Sequence, residues 1–154
     1  MKQFVILICL FCLANLVQAQ DEATRVKHYN LEKKVALLGY DPVSYFVNNP
    51  AKGKKEVTHT YKGVIYHFVS EKSKSIFMAS PEKYEPAYGG WCAYALGKKN
   101  PELMEINPKS YKIIQGKLYL FYDKWGMNML DKWNKDEENL MKLANKNWED
   151  IISK

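Results

Sequence analysis

Few residues in this chain are equipped for chemistry, and most of those are thiols or imidazoles. The sequence has three cysteines and three histidines. Cys9 and Cys12 fall inside an apolar run near the start, so a chain trimmed of that run keeps one thiol, Cys92. Cys92 stands in the dense stretch Tyr84-Glu85-Pro86-Ala87-Tyr88-Gly89-Gly90-Trp91-Cys92-Ala93-Tyr94. A lone thiol can be a soft metal ligand, a redox centre, half of an intermolecular bridge or an apolar filler. Aromatic neighbours give it a partly apolar setting, which raises its pKa unless a metal or cation lies close. His59 and His67 flank a Lys62-Gly63 turn and are expected on facing strands, where paired imidazoles could hold a metal. Methionines such as Met78 and Met104 could add a soft contact. Asp41, before Pro42, reads as a turn cap that could also lend an oxygen or orient a ligand.

Other catalytic patterns are missing. The sequence holds no Gly-x-Ser-x-Gly elbow, no phosphate loop ending in Lys-Ser/Thr, no His-Glu-x-x-His and no Cys-x-x-Cys. The net charge of +6 is spread along a chain in which lysines and acidic residues alternate. That pattern makes a solvated surface rather than a nucleic-acid footprint.

These residues must be held by secondary structure, which the sequence outlines. Phe4 to Val17 is nearly all apolar, follows Met1-Lys2-Gln3 and leads to Val17-Gln18-Ala19. This predicts a secretory signal peptide over 1–19, an extracytoplasmic (periplasmic or secreted) destination and a single domain over 20–154. No second apolar stretch approaches the roughly 20 residues needed to cross a bilayer. Asp21 to Asn30 is expected to be a loose lead-in, and Val35 to Leu38 a short strand. A hairpin is predicted from Val57–Tyr61 and Val64–Val69, and a second from Tyr111–Ile114 and Lys117–Tyr122 around Gln115-Gly116. Ser70 and Ser80-Pro81 mark two helix starts between them. Tyr88 to Ala95 is expected as a glycine-led strand. Trp125, Met129 and Trp133, four apart, predict one buried helix face. Asn134 with Glu137 predicts a capping pair for a last helix with a stripe of Leu140, Ala144, Trp148 and Ile151. The fold class is therefore α+β: a small antiparallel sheet of hairpins, packed with short helices and closed by C-terminal helices.

Gly39-Tyr40-Asp41-Pro42-Val43-Ser44-Tyr45-Phe46, Tyr61 to Ser70, Ser80-Pro81-Glu82-Lys83-Tyr84 and Tyr88 to Ala95 stand in an order that resembles the YHS-domain family. Gly116 to Leu120 and Ala144-Asn145-Lys146-Asn147-Trp148 are similar to its exported branch. The resemblance implies a small α+β domain and, for some relatives, handling of heavy metals, copper especially. In the metal-associated version cysteines stand where this chain has Ser44, Val69 and Ser73, so a copper site would have to be rebuilt around Cys92 with His67. On this reading the protein is a non-enzymatic binding protein for a transition metal or metal-containing ligand. Asp41, Tyr45, Tyr88 and Tyr94 would line the pocket, and a homodimer could bring two Cys92 thiols together. The alternatives are a thiol redox protein using Cys92 and a pure interaction domain in which Cys92 is structural.

Overall fold

A computed structural model of the chain describes residues 20–154. The expected signal peptide over 1–19 lies outside the described residues. The α+β expectation holds. Residues 20–28 form helix α1, followed by the short strands β1 (Leu31–Glu32) and β2 (Val35–Ala36). The first hairpin joins β3 (Lys54–Tyr61) to β4 (Val64–Phe68), and helices α2 (Glu71–Ala79) and α3 (Pro81–Tyr84) follow. A short helix α4 (Ala93–Leu96) precedes the second hairpin, β5 (Asn107–Ile114) and β6 (Lys117–Phe121). A small ribbon, β7 (Asp123–Lys124) and β8 (Met127–Asn128), leads into α5 (Met129–Trp133) and α6 (Glu137–Ile152).

The main sheet runs β1-β2-β4-β3. Its pairs are antiparallel except β2 with β4, which pair in parallel at Val35 and Ile65. The hairpin turns form as their residues dictate. Lys62-Gly63 and Gln115-Gly116 both take positive φ (45° and 77°, 50° and 76°), the twist that a two-residue hairpin turn needs. Strand β4 alternates buried and half-buried residues, sending Val64, Tyr66 and Phe68 inward against Phe77 of α2. The largest fully buried side chains also include Tyr45, Phe121 and Trp133. Each such burial is worth about 1.5–3 kcal/mol against exposure, before the cost of ordering. Among the described residues, no helix is long and apolar enough to cross a membrane.

Several local expectations give way to tertiary structure. The lead-in at 21–30 is largely helical, because Arg25 of α1 is drawn into the core. The strand expected through Leu38 ends at Ala36, and Leu37, Leu38 and Gly39 turn left-handed in succession (φ 57°, 52° and 80°). That conformation costs about 1–2 kcal/mol for each non-glycine residue. No strand spans Tyr88 to Ala95. Positive φ at Tyr88, Gly89 and Gly90 breaks the extended run, and Cys92 becomes the residue before α4, bridged in parallel to Leu120. Trp125 does not share a face with Met129 and Trp133. It sits with Gly126 at the tip of the β7–β8 ribbon, 88% exposed, and the helix starts only at Met129. Nor do Asn134 and Glu137 form a capping pair. Both accept from Lys112, Glu137 also accepts from Trp133 Nε1, and Asp136 precedes α6.

Candidate functional site

Cys92 is completely buried. Its sulfur accepts the N–H of Tyr122 at 3.3 Å, its own N–H donates to the Met104 carbonyl, and its carbonyl accepts from Leu96. Burial pushes the thiol pKa up, while the backbone N–H groups of Tyr122, Ala95 and Tyr94 pull it the other way. A thiol in this setting is a packing group: it is neither ionised readily nor reachable by a second subunit without the core opening.

Asp41 is equally buried, and its carboxylate is spoken for. One oxygen accepts Val43 N–H at 2.8 Å; the other accepts Val69 N–H at 2.9 Å and the Ser73 hydroxyl at 2.5 Å. The Ser44 hydroxyl donates to the Asp41 carbonyl at 2.6 Å and accepts from Ala51 N–H at 3.1 Å. Thus the three positions at which the resemblance calls for thiolates surround Asp41 and tie the 41–44 turn to the end of β4 and the start of α2. Among the described residues no hydrogen bond joins Asp41 to Cys92; the bonds Asp41 accepts hold three segments together.

The two strand histidines do not face each other. Thr58 pairs with His67 and His59 with Tyr66, so the histidines stand one register apart on opposite faces of the hairpin. His59 lies on the core side, 6.3 Å from the Phe77 ring. His67 lines a recess with Lys33, Lys52 and Lys55, and Cys92 is not among its walls. Burial, then Lys55, and more weakly Lys52, lower the His67 pKa, while Glu56 raises it. Among the described residues, no three His, Cys, Asp or Glu side chains gather where they could hold a metal ion. Cys92 is enclosed and His67 lines a recess whose walls do not include it, so these two candidate ligands do not share that lining.

The four candidate ligand residues also separate. Tyr45 is fully buried edge-on to Tyr111, its hydroxyl without a partner among the described residues and its pKa raised by burial. Tyr94 rides on α4, half-buried, with the Lys132 ammonium 5.9 Å from its ring centre. Tyr88 borders an opening. It shares a recess of about 280 Å³ with Tyr29, Tyr119, Trp148, Asn145 and Lys117. Its ring stands edge-on to Tyr119 at 5.6 Å and to Trp148 at 6.4 Å, and its hydroxyl donates to Asn145 Oδ1 at 2.8 Å. Gly89 permits this crowding, since a Cβ there would lie 2.7 Å from the Tyr29 ring and 3.0 Å from Trp148. Lys117 reaches the Glu82 carbonyl at 3.0 Å; burial lowers its pKa, and Glu85 and Glu82 oppose that.

Behind this recess lies a charge network that the sequence reading missed. The Arg25 guanidinium pairs with the Glu85 carboxylate, both over nine-tenths buried. Glu85 also accepts the Tyr66 hydroxyl at 2.5 Å, and Arg25 donates to the Tyr29 hydroxyl at 2.9 Å and the Lys62 carbonyl at 3.3 Å. Burial alone would lower the Arg25 pKa, but the bond and charge of Glu85 outweigh it and leave it raised. The spacing of Arg25 and Tyr29, one helical turn apart, was the available signal, and it is legible only once α1 is known to be a helix.

Comparison with family models, with curated proteins and with solved structures found no match for this chain.

Proposed function

We propose that this is a non-enzymatic, extracytoplasmic binding protein, that Cys92 serves its packing, and that its ligand enters the recess at Tyr88. One observation carries the reading: four aromatic side chains from separate parts of the chain, Tyr29, Tyr88, Tyr119 and Trp148, frame one opening beside an ammonium and an amide. Aromatic walls with a few placed polar groups are the general composition of small-molecule sites. The ligand that suits them is a small organic molecule with a flat apolar face for the rings and a carboxylate for Lys117. Burial raises the pKa of both Tyr88 and Tyr119, so their hydroxyls stay protonated and act as hydrogen-bond groups rather than bases.

The test uses 4-hydroxyphenylacetate as a flat carboxylated probe, followed by amide chemical shifts. Saturable shifts at Gly89 and Tyr119, weakened in Lys117→Met and in Tyr119→Leu while circular dichroism is retained, support the recess. Absence of saturable shifts, or shifts indifferent to both substitutions, overturns it. A copper(I) titration beside Cys92→Ala decides the metal reading implied by the resemblance: stoichiometric binding lost in the variant would replace the present proposal.

A further inference from the structure

A second opening has a different chemistry. Its volume is about 340 Å³, and its walls come from the β1–β2 turn, the left-handed segment at 37–39, the strand entering β3, and His67 of β4. Its lining includes three lysines, Lys33, Lys52 and Lys55, and one acidic residue, Glu32, all exposed. Glu56 adds a second carboxylate near His67. None of the three lysines is within ion-pair distance of a carboxylate among the described residues, and residues 1–19 contain no Asp or Glu.

The backbone here is built tightly and at a conformational cost. Gly53 presses on β4 so closely that a Cβ would lie 2.5 Å from the His67 carbonyl carbon, and its N–H donates to the Gly39 carbonyl at 2.9 Å. That contact carries Lys52 across Gly39: a Cβ on Gly39 would meet His67 Nδ1 at 3.3 Å and Lys52 Cε at 3.9 Å. The Lys52 and His67 side chains therefore both lie over Gly39. Leu38, left-handed like its neighbours Leu37 and Gly39, also lines the recess, and strained backbone of this kind gathers at binding sites more often than elsewhere. Like charges held together without counter-ions raise the local concentration of anions.

We propose that this recess is a second binding site and that it takes a phosphate group, with Lys33, Lys52 and Lys55 supplying charge and an N–H of His67 a directional contact. The volume exceeds what a bare phosphate fills, which favours a small phosphate monoester over the free ion. The surrounding ammonium groups would repel a metal cation, so His67 is better placed to bind an anion than copper.

The experiment titrates the protein with glycerol phosphate and, separately, inorganic phosphate, at constant ionic strength with chloride as the reference anion. Saturable movement of the Gly39 and Gly53 amide signals with either phosphate, absent with chloride, is the expected result. Tighter binding of glycerol phosphate identifies an ester as the ligand; equal binding identifies the phosphate group alone, and both support the site. Lys52→Ala and Lys55→Ala, each removing an exposed charge, should weaken binding by about two- to fivefold. Lys146→Ala on α6 and Lys117→Met in the aromatic recess should leave it unchanged, which separates this site from the one at Tyr88. Amide shifts that never saturate, that chloride reproduces, or whose titration midpoint is the same in Lys52→Ala and Lys55→Ala as in the parent protein overturn the proposal.

Discussion

Treating the folded protein with a small aromatic disulfide reagent measures how often Cys92 becomes reachable. The side chain has no exposed surface, and its sulfur is bonded to the Tyr122 N–H. Reagent must wait for an opening of the β6–α4 core, so the observed rate is the unfolded-chain rate multiplied by the opening equilibrium constant. If that opening costs about 5 kcal/mol, the low end of domain stability, then one decade per 1.4 kcal/mol gives a slowing of at least ~10³-fold. The assay compares release of the coloured thiol in buffer and in urea, using a chain that begins at Gln20 so that Cys9 and Cys12 do not contribute; Cys92→Ser gives the blank. Rates in buffer and urea that agree within about tenfold would refute the burial argument and return Cys92 to the redox and metal readings.

Two further outcomes follow from the charge distribution. Glu85→Ala strands the Arg25 guanidinium and the Tyr66 hydroxyl in the core, and breaking a buried pair in this way costs about 3–5 kcal/mol. Urea unfolding should register that loss, and a change under about 1 kcal/mol would show the pair to be exposed and unimportant. His67 should titrate below the ordinary histidine value, and proton NMR of its ring should show the midpoint rising in Lys55→Ala. Because the fold favours the neutral ring, the His67 contribution to stability is complete above the unfolded value of about 6.5 and is lost as pH falls through the lowered folded midpoint. A midpoint at or above the ordinary value would contradict the placement of the lysines.

What could be seen in the sequence was local. The two hairpins depend on dipeptides, Lys62-Gly63 and Gln115-Gly116, that take the required dihedrals by themselves. Helix α2 depends on Ser70, whose hydroxyl accepts the Ser73 N–H. Trp125 misled because fourfold spacing says nothing about Gly126, which lets the chain turn before the helix begins. Arg25 was hidden for a different reason: its partner Glu85 is sixty residues away, and no periodicity encodes such a meeting. The Tyr88 site shows both sides. The Tyr88-Gly89-Gly90 cluster marked the place, but Tyr29, Tyr119 and Trp148 join it only through tertiary packing. Cys92 was noticed for its type, and only the fold shows that it is enclosed.

The Asp41 carboxylate has a consequence for how the protein breathes. Two amides, Val43 in one turn and Val69 at the end of a strand, owe their protection to the same side chain, which reaches Val69 across a sequence gap of 28 residues. Displacing the Asp41 side chain releases both amides and the Ser73 hydroxyl together. The 41–44 turn, the end of β4 and the first turn of α2 should therefore open as one cooperative unit, so that a fluctuation beginning in any of them is felt at once in the other two.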